Sequence, residues 1–400
     1  MKHQMKLLFI VSCLVVVVGC SSDKKAVYSA EEAKKALAVA ETQYENMYEA
    51  IEDKAQYPRS VNEDGSVHLV GAYDWTSGFF PGSLWYLYEH TGNSIWKDRA
   101  ETSTAGLEVL KTHTGTHDLG FMLYCSFGNG LRLTNNEAYT DILVEGAYSL
   151  ASRYNDNVGC IKSWDWGDRE GWEFPVIVDN MMNLEYMSWA ANQTGDTTFY
   201  AIAVNHSNET LENHFRTDHS SFHVVDYDSI TGEIRWKGTH QGYSDESAWA
   251  RGQAWGFYGY TMMYRETKED AYLQMAQNIA DFVLNHPNLP EDYVPYWDFN
   301  APDIPNAYRD VSTAAIMASG LIELSQYTEG EKGDTYLKAA EKMLQSMSSE
   351  EYLAKKGENS NFILKHAVGN LPGDSEIDTP LNYADYYFIE ALLRYIDLVE

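Results

Sequence analysis

Apolar residues return every three or four positions over most of the chain, the spacing of one face of an α-helix. The pattern opens at Ser29-Ala30-Glu31-Glu32, which has the Ser-x-x-Glu form of a capping box. A helix is predicted from there to about Ala55, with Ala36, Leu37, Val39, Ala40, Tyr44 and Met47 on its apolar side. The same spacing predicts helices over 81–90, 94–113, 118–134, 136–153, 181–194, 197–215, 248–267, 271–286, 312–328, 333–347 and 384–399. Two junctions, His90-Thr91-Gly92-Asn93 and Gln193-Thr194-Gly195-Asp196, use one device. A helix stops, Gly makes the C-terminal turn, and Asn or Asp caps the next helix. Strand alternation is scarce. Its best instance is a small β-hairpin of 223–227 against 233–237, turning at Asp228-Ser229-Ile230-Thr231-Gly232. No Pro/Gly/Ser-rich linker divides residues 29–400, so a single domain is expected there. About twelve helices in hairpins predict an all-α chain, either an α/α toroid or an α-solenoid. The short interhelical segments rich in Trp, His and Asp favour the mouth of a barrel.

The N-terminus breaks the pattern. Lys2 and Lys6 precede an apolar run over 7–18, too short to span a bilayer as a mature helix. Val17-Val18-Gly19-Cys20 then has the form of a bacterial lipobox. The expectation is a lipoprotein signal peptide over 1–19, acylation of Cys20, and an anchor or linker over 20–28. The product would be an exported lipoprotein, periplasmic or outer-membrane associated, touching membrane only through its anchor. Residues 1–19 hold two lysines and no acids, so their loss takes the formal charge from −30 to −32. Such a charge excludes nucleic acid and electrostatic docking on anionic lipid. Beyond the anchor only Cys125 and Cys160 remain, too few for a disulfide framework or a cysteine metal site.

No G-x-G-x-x-G, Walker A, H-E-x-x-H or G-x-S-x-G is present. His113 and His117 are four apart, but no third ligand accompanies them, so neither metal nor cofactor is expected. Acids among aromatics remain. Asp118 follows His117 at a predicted helix start, and Asp179 follows the apolar run Phe174-Pro175-Val176-Ile177-Val178. Either could be an N-cap. A carboxyl among such neighbours has its charged form disfavoured, and one kept neutral near pH 7 can serve as a general acid. Trp164 and Trp166 offer rings for a sugar, although most buried tryptophans are core. Arg251 and Trp255 share a helical face four residues apart. In so acidic a chain Arg251 is either a fork for a substrate carboxylate or half of a structural salt bridge.

Tyr73-Asp74-Trp75-Thr76-Ser77-Gly78-Phe79-Phe80-Pro81-Gly82 resembles a segment of the unsaturated glucuronyl hydrolases, glycoside hydrolase family 88. So do 117–121, 179–183, 309–315, 385–392 and 239–260, which reads THQGYSDESAWARGQAWGFYGY. The blocks run in family order over about 70–395. The resemblance implies an (α/α)6 barrel without metal or cofactor. It implies substrates ending in a Δ4,5-unsaturated uronate, the product of a polysaccharide lyase. The reaction it implies is hydration: a carboxylic acid protonates C4, water adds at C5, and the hemiketal opens to release the next sugar. On this resemblance Asp179 is the proton donor and Asp118 the second acid. His223, Gln241, Arg251 and Trp255 fall where the family binds the unsaturated ring, with Thr239 and Trp164 or Trp166 as weaker correspondences. Glycosaminoglycan disaccharides are the expected substrates. The alternatives are an unsaturated rhamnogalacturonyl hydrolase and a non-catalytic, helical glycan-binding lipoprotein.

Overall fold

A computed structural model describes residues 26–167 and 170–400. The expected signal peptide and Cys20 lie outside the described residues. The first helix, α1 (Ala30–Ala50), begins with the capping box, Ser29 and Glu32 each accepting the other's backbone N–H. Five helical hairpins follow. Helix α2 (Phe79–Thr91) returns as α3 (Ser94–Ala105), and a π-helix (Gly120–Gly128) running into α4 (Asn129–Thr134) returns as α5 (Glu137–Ala151). Then come α6 (Leu184–Thr194) with α7 (Thr197–Asn213), α8 (Ala250–Thr267) with α9 (Asp270–Leu284), and α10 (Val311–Tyr327) with α11 (Gly330–Met347). Helix α12 (Asn382–Val399) packs on both α1 and α2, which closes the ring of six hairpins.

The sequence distinguishes the two layers. Helix α8 is buried at every position from Ala250 to Met263, and α10 from Val311 to Leu324. A helix apolar all round belongs inside. Helix α9 buries one stripe, Tyr272, Met275, Ala276, Ile279, Ala280 and Val283, and so lies outside. The structure is therefore the (α/α)6 toroid, with α2, the π-helix, α6, α8, α10 and α12 as its inner ring.

Three predicted helices differ in detail. The stretch 94–113 ends its α-helix at Ala105 and continues as a 3-10 turn, Glu108–Thr112. The stretch 118–134 is π-helical before α4, and 181–194 begins as a 3-10 helix, Val178–Asn183. One contact ties the last two together: Gly120 N–H donates to Asn183 Oδ1 at 2.8 Å. A Cβ on Gly120 would lie 2.5 Å from that oxygen, so only glycine permits the approach. The predicted β-hairpin is present as β6 (Val224–Tyr227) and β7 (Ile234–Gly238), with β5 (Phe174–Ile177) added antiparallel to β6. The other paired strands span two to five residues, too short to show alternation. They are β1 (Tyr57–Val61) with β2 (Val67–Val70), β3 (Tyr154–Asn155) with β4 (Cys160–Ile161), and β8 (Ala367–Asn370) with β9 (Ser375–Thr379). Cys125 and Cys160 are both free thiols.

Candidate active site

The N-terminal ends of the inner helices converge on one cavity of about 660 Å³. Trp75 lines it from just before α2, Asp118 from just before the π-helix, and Asp179 from the 3-10 turn before α6. Arg251 enters from the second position of α8 and Tyr383 from the second position of α12. Asp310, the N-cap of α10, holds Arg251 from behind at 3.0 Å. The fold thus delivers residues more than 300 positions apart to one mouth.

Neither candidate acid is a cap. The π-helix is preceded by Leu119, without a side-chain cap, and Asp118 instead accepts from Thr116 Oγ1 at 2.8 Å. Asp179 sits inside the first turn of its 3-10 helix, also uncapped by any side chain. Both carboxyls are left for the cavity. Asp179 is 8% exposed, and its Oδ2 has no hydrogen-bond partner. Burial pushes its pKa from 3.8 up to about 7; Arg251 and a backbone N–H oppose the rise and Asp118 adds to it.

Two histidines stand behind these acids with their tautomers fixed. His223 Nδ1 accepts the backbone N–H groups of His240 and Gln241, both at 3.2 Å. Its proton therefore sits on Nε2, 3.6 Å from Asp179 Oδ2. That distance is just beyond a hydrogen bond. Burial holds His223 far below its ordinary pKa, so the ring is a neutral N–H donor. His117 is oriented the other way. Its Nδ1 lies 2.8 Å from the Ser163 carbonyl and must donate, which leaves Nε2 3.2 Å from Asp118 Oδ1.

The remaining sequence candidates separate into three groups. Gln241, Trp164 and Trp166 line the cavity. Gln241 donates to the Gly369 carbonyl at 3.0 Å, and the two tryptophans stack with centroids 4.4 Å apart. The stack runs on through Trp172 to Trp236, with His240 edge-on. Arg251 also lines the cavity, but its fork is occupied by Asp310 and by the carbonyls of Val368 and Gly369. Of the two readings of Arg251, the structural ion pair is the one whose contacts are made. Trp255 and Thr239 do not reach the cavity wall. Trp255 is fully buried between Phe121 and Tyr387, because every face of α8 is covered and i,i+4 spacing selects no cavity side. Thr239 caps its own loop, accepting from Gly242 N–H at 2.8 Å, and lines a neighbouring hollow with Trp172 and Trp236. His223 supports Asp179 from beneath and does not line the cavity.

Sequence reasoning missed Tyr383, Arg59 and Glu376, all on the wall. Tyr383 has a buried hydroxyl without a partner, and its ring packs 5.1 Å from Trp75. No local motif marks any of the three. Among the described residues no cluster of His, Cys, Asp or Glu is placed to hold a metal ion. No helix of these residues is long and apolar enough to cross a membrane.

No family model matches the chain. It is 45% identical over 402 aligned positions to an unsaturated glucuronyl hydrolase of Formosa agariphila, with both chains fully covered. The chain belongs to the unsaturated glucuronyl hydrolases. An unsaturated chondroitin disaccharide hydrolase of Streptococcus pyogenes is 31% identical over 348 residues, 86% of each chain. A solved structure of a heparin-specific unsaturated glucuronyl hydrolase matches with TM-score 0.90 and 48% identity, covering 92% of this chain and 98% of that one. This unsaturated glucuronyl hydrolase is therefore a glycosidase built on a helical toroid, and Asp118 and Asp179 stand at adjacent inner elements pinned together by Gly120 and Asn183.

Proposed function

We propose that the hydrolase removes the Δ4,5-unsaturated uronic acid from the non-reducing end of lyase-generated glycosaminoglycan oligosaccharides. Asp179 protonates C4 of the vinyl ether. Positive charge then spreads over C5 and the ring oxygen, and the Asp179 carboxylate so formed takes a proton from the water that adds at C5. The product is a hemiketal, which opens and releases the second sugar. Asp118 binds ring hydroxyls beside it and raises the pKa of Asp179 by its charge. Trp164 and Trp166 carry the neighbouring sugar by stacking.

The observation that carries this reading is an uncapped carboxyl in a sugar-sized cavity with its pKa near 7. Such a group is still about half protonated at neutral pH, where an ordinary aspartate is almost wholly ionised, and so can serve as a general acid. Because the proton goes to carbon, the retaining-or-inverting spacing rule for carboxylate pairs does not apply. The test is turnover of chondroitin-, heparin- and pectin-lyase disaccharides in deuterated water. Loss of the C=C absorbance with one deuterium placed at C4 is the expected result on the first two. Cleavage with no deuterium at C4, or turnover of the pectin product alone, refutes the reading.

The N-terminal segment adds a cellular setting to the proposal. Lys2, Lys6, the apolar run and Cys20 support export and acylation, with the enzyme held at a membrane by lipid. Metabolic labelling with a fatty acid, abolished by Cys20→Ala, is the expected outcome; labelling that survives the substitution refutes it.

A further inference from the structure

The toroid has two mouths, and a second cavity of about 550 Å³ lies at the one opposite the catalytic site. Where the catalytic cavity is built on first turns, this one is built on last turns. Glu89 on α2, Arg132 on α4 and Asp397 on α12 each stand two residues from the end of their helix. Arg132 and Asp397 are exposed, so the cavity opens to solvent beside them. Phe121 lies on the walls of both cavities.

A helix C-terminal end carries about half a negative charge. The side chains add to it: Glu89, Glu185, Glu390 and Asp397 line the cavity against the two guanidiniums of Arg132 and Arg394. Neither guanidinium is free to receive an anion. Arg132 is forked by both oxygens of Glu89, and Arg394 donates to Glu323 at 2.7 Å. Arg265 bridges Glu185 and Glu323. The catalytic cavity commits its guanidiniums in the same way, Arg251 to Asp310 and Arg59 to Glu376 and Asp74, but the helix ends there are positive. The two mouths therefore favour opposite charges, and the second one favours a cation.

That cation needs a body. Among the described residues no three His, Cys, Asp or Glu side chains are placed to close around a metal ion. The rest of the wall is largely aromatic, with Tyr86, Tyr124, Trp189, Tyr258, Tyr386 and Tyr387. Ring faces attract ammonium and guanidinium groups, and Arg394 already lies 5.2 Å from the centroid of Tyr258. Tyr387 is 3% exposed, and its hydroxyl makes no hydrogen bond among the described residues. Leaving a buried hydroxyl unpaired is costly, and an ammonium N–H would pair it.

We propose that this second mouth is a binding site for an organic ammonium ion, the amine of an amino sugar or of a short polyamine. The rings pack on its body, the carboxyl groups and helix ends supply the opposite charge, and the Tyr387 oxygen accepts one N–H. The site is separate from the catalytic cavity and does not depend on the reaction proposed there.

The test is calorimetric titration of the intact protein with glucosamine, glucose and spermidine at about 0.15 M salt, which screens loose attraction to the acidic surface. At least one of the two amines should bind saturably, one per chain. Glucose carries a hydroxyl where glucosamine carries its ammonium, and it should bind at least about tenfold more weakly than glucosamine. The tighter amine names the source: glucosamine an amino sugar, spermidine a polyamine. Trp189→Ala and Tyr387→Phe should each weaken the tighter amine by about three- to tenfold. Trp166→Ala, at the catalytic mouth, should leave its affinity unchanged. Tyr387→Phe removes one oxygen and keeps the ring, so it decides the matter even where Trp189→Ala fails to fold. Equal affinity for glucose and glucosamine, an affinity unmoved by Tyr387→Phe or lost in Trp166→Ala, or no saturable binding of either amine up to about 50 mM overturns the proposal. Binding is read without turnover, so such a failure leaves the hydrolase reading standing.

Discussion

Replacing Asp179 by Asn should abolish turnover and at the same time stabilise the protein, increasingly so as pH rises. A carboxyl moved from 3.8 to about 7 carries about 4 kcal/mol of difference between its two protonation states. Because its native pKa lies above the unfolded one, the native state binds more protons between about pH 4 and 7. Native stability therefore falls through that window and levels off above it. Asn has no charged form and escapes the fall. Its amide keeps the shape, and its oxygen can face the Nε2–H of His223. The stability difference between variant and wild type should widen by about 2.5 kcal/mol from about pH 5 to about pH 8, with about 4 kcal/mol as the ceiling. Urea unfolding at several pH values measures it. Unfolding midpoints that stay parallel across the window would mean that Asp179 ionises as freely in the folded protein as outside it. The acid role would then lose its physical basis even if the variant were inactive.

Four further outcomes follow from the same geometry. With an unsulfated substrate, kcat should fall about tenfold per pH unit above roughly pH 7, as Asp179 loses its proton; a profile flat to about pH 9 contradicts this. Arg251→Ala leaves Asp310 buried and unpaired, so it should cost about 3–5 kcal/mol of stability by denaturant titration; a loss below about 1 kcal/mol with a raised KM would restore the carboxylate-fork reading. His223→Phe should lower kcat by about 10- to 100-fold with little change in KM, because it acts through Asp179 and not on the sugar; an unchanged kcat removes it from that support. Trp166→Ala should raise KM by about two- to tenfold and leave kcat nearly intact, and a fall in kcat alone would place the ring elsewhere in the mechanism.

The helices were legible because a 3.6-residue period is a local property; that period fits a solenoid as well as a toroid, and the six-hairpin ring was expected only from the family resemblance. Most interhelical turns carry their own signal, as at Gly92 and Gly195, both in the left-handed C-cap conformation. The two aspartates were legible because each interrupts an apolar or helix-opening context. What sequence could not show is which way a side chain on a fully buried helix points. Arg251 and Trp255 share a face of α8, yet one reaches the cavity and the other is sealed among aromatics. Nor could it show partners made by closure of the ring. Tyr383 and Glu376 arrive from the far end of the chain, and Glu376 depends on a backbone conformation that no residue name encodes. A raised pKa is no sufficient guide either. Asp385 is pushed up to about 7 by burial, as Asp179 is, but it is fully enclosed and spends both oxygens on the N–H groups of Ile363 and Leu364. Asp179 differs by keeping one oxygen unclaimed.

A chain with a formal charge of −30 repels a uronate at long range, so attraction has to be generated within the cavity. The paired guanidiniums supply little of it. Backbone orientation supplies more, because the inner helices other than α10 present their N-terminal ends to this mouth. Each such end carries about half a positive charge, and several aimed at one point act together at short range. Asp179 lies beside other carboxyls without being driven further above neutrality because Arg251 and its own backbone N–H offset part of its burial. On the proposed mechanism an Asp179 near neutrality is within reach of both its protonation states, so its proton can leave for C4 and be replaced from water in one cycle.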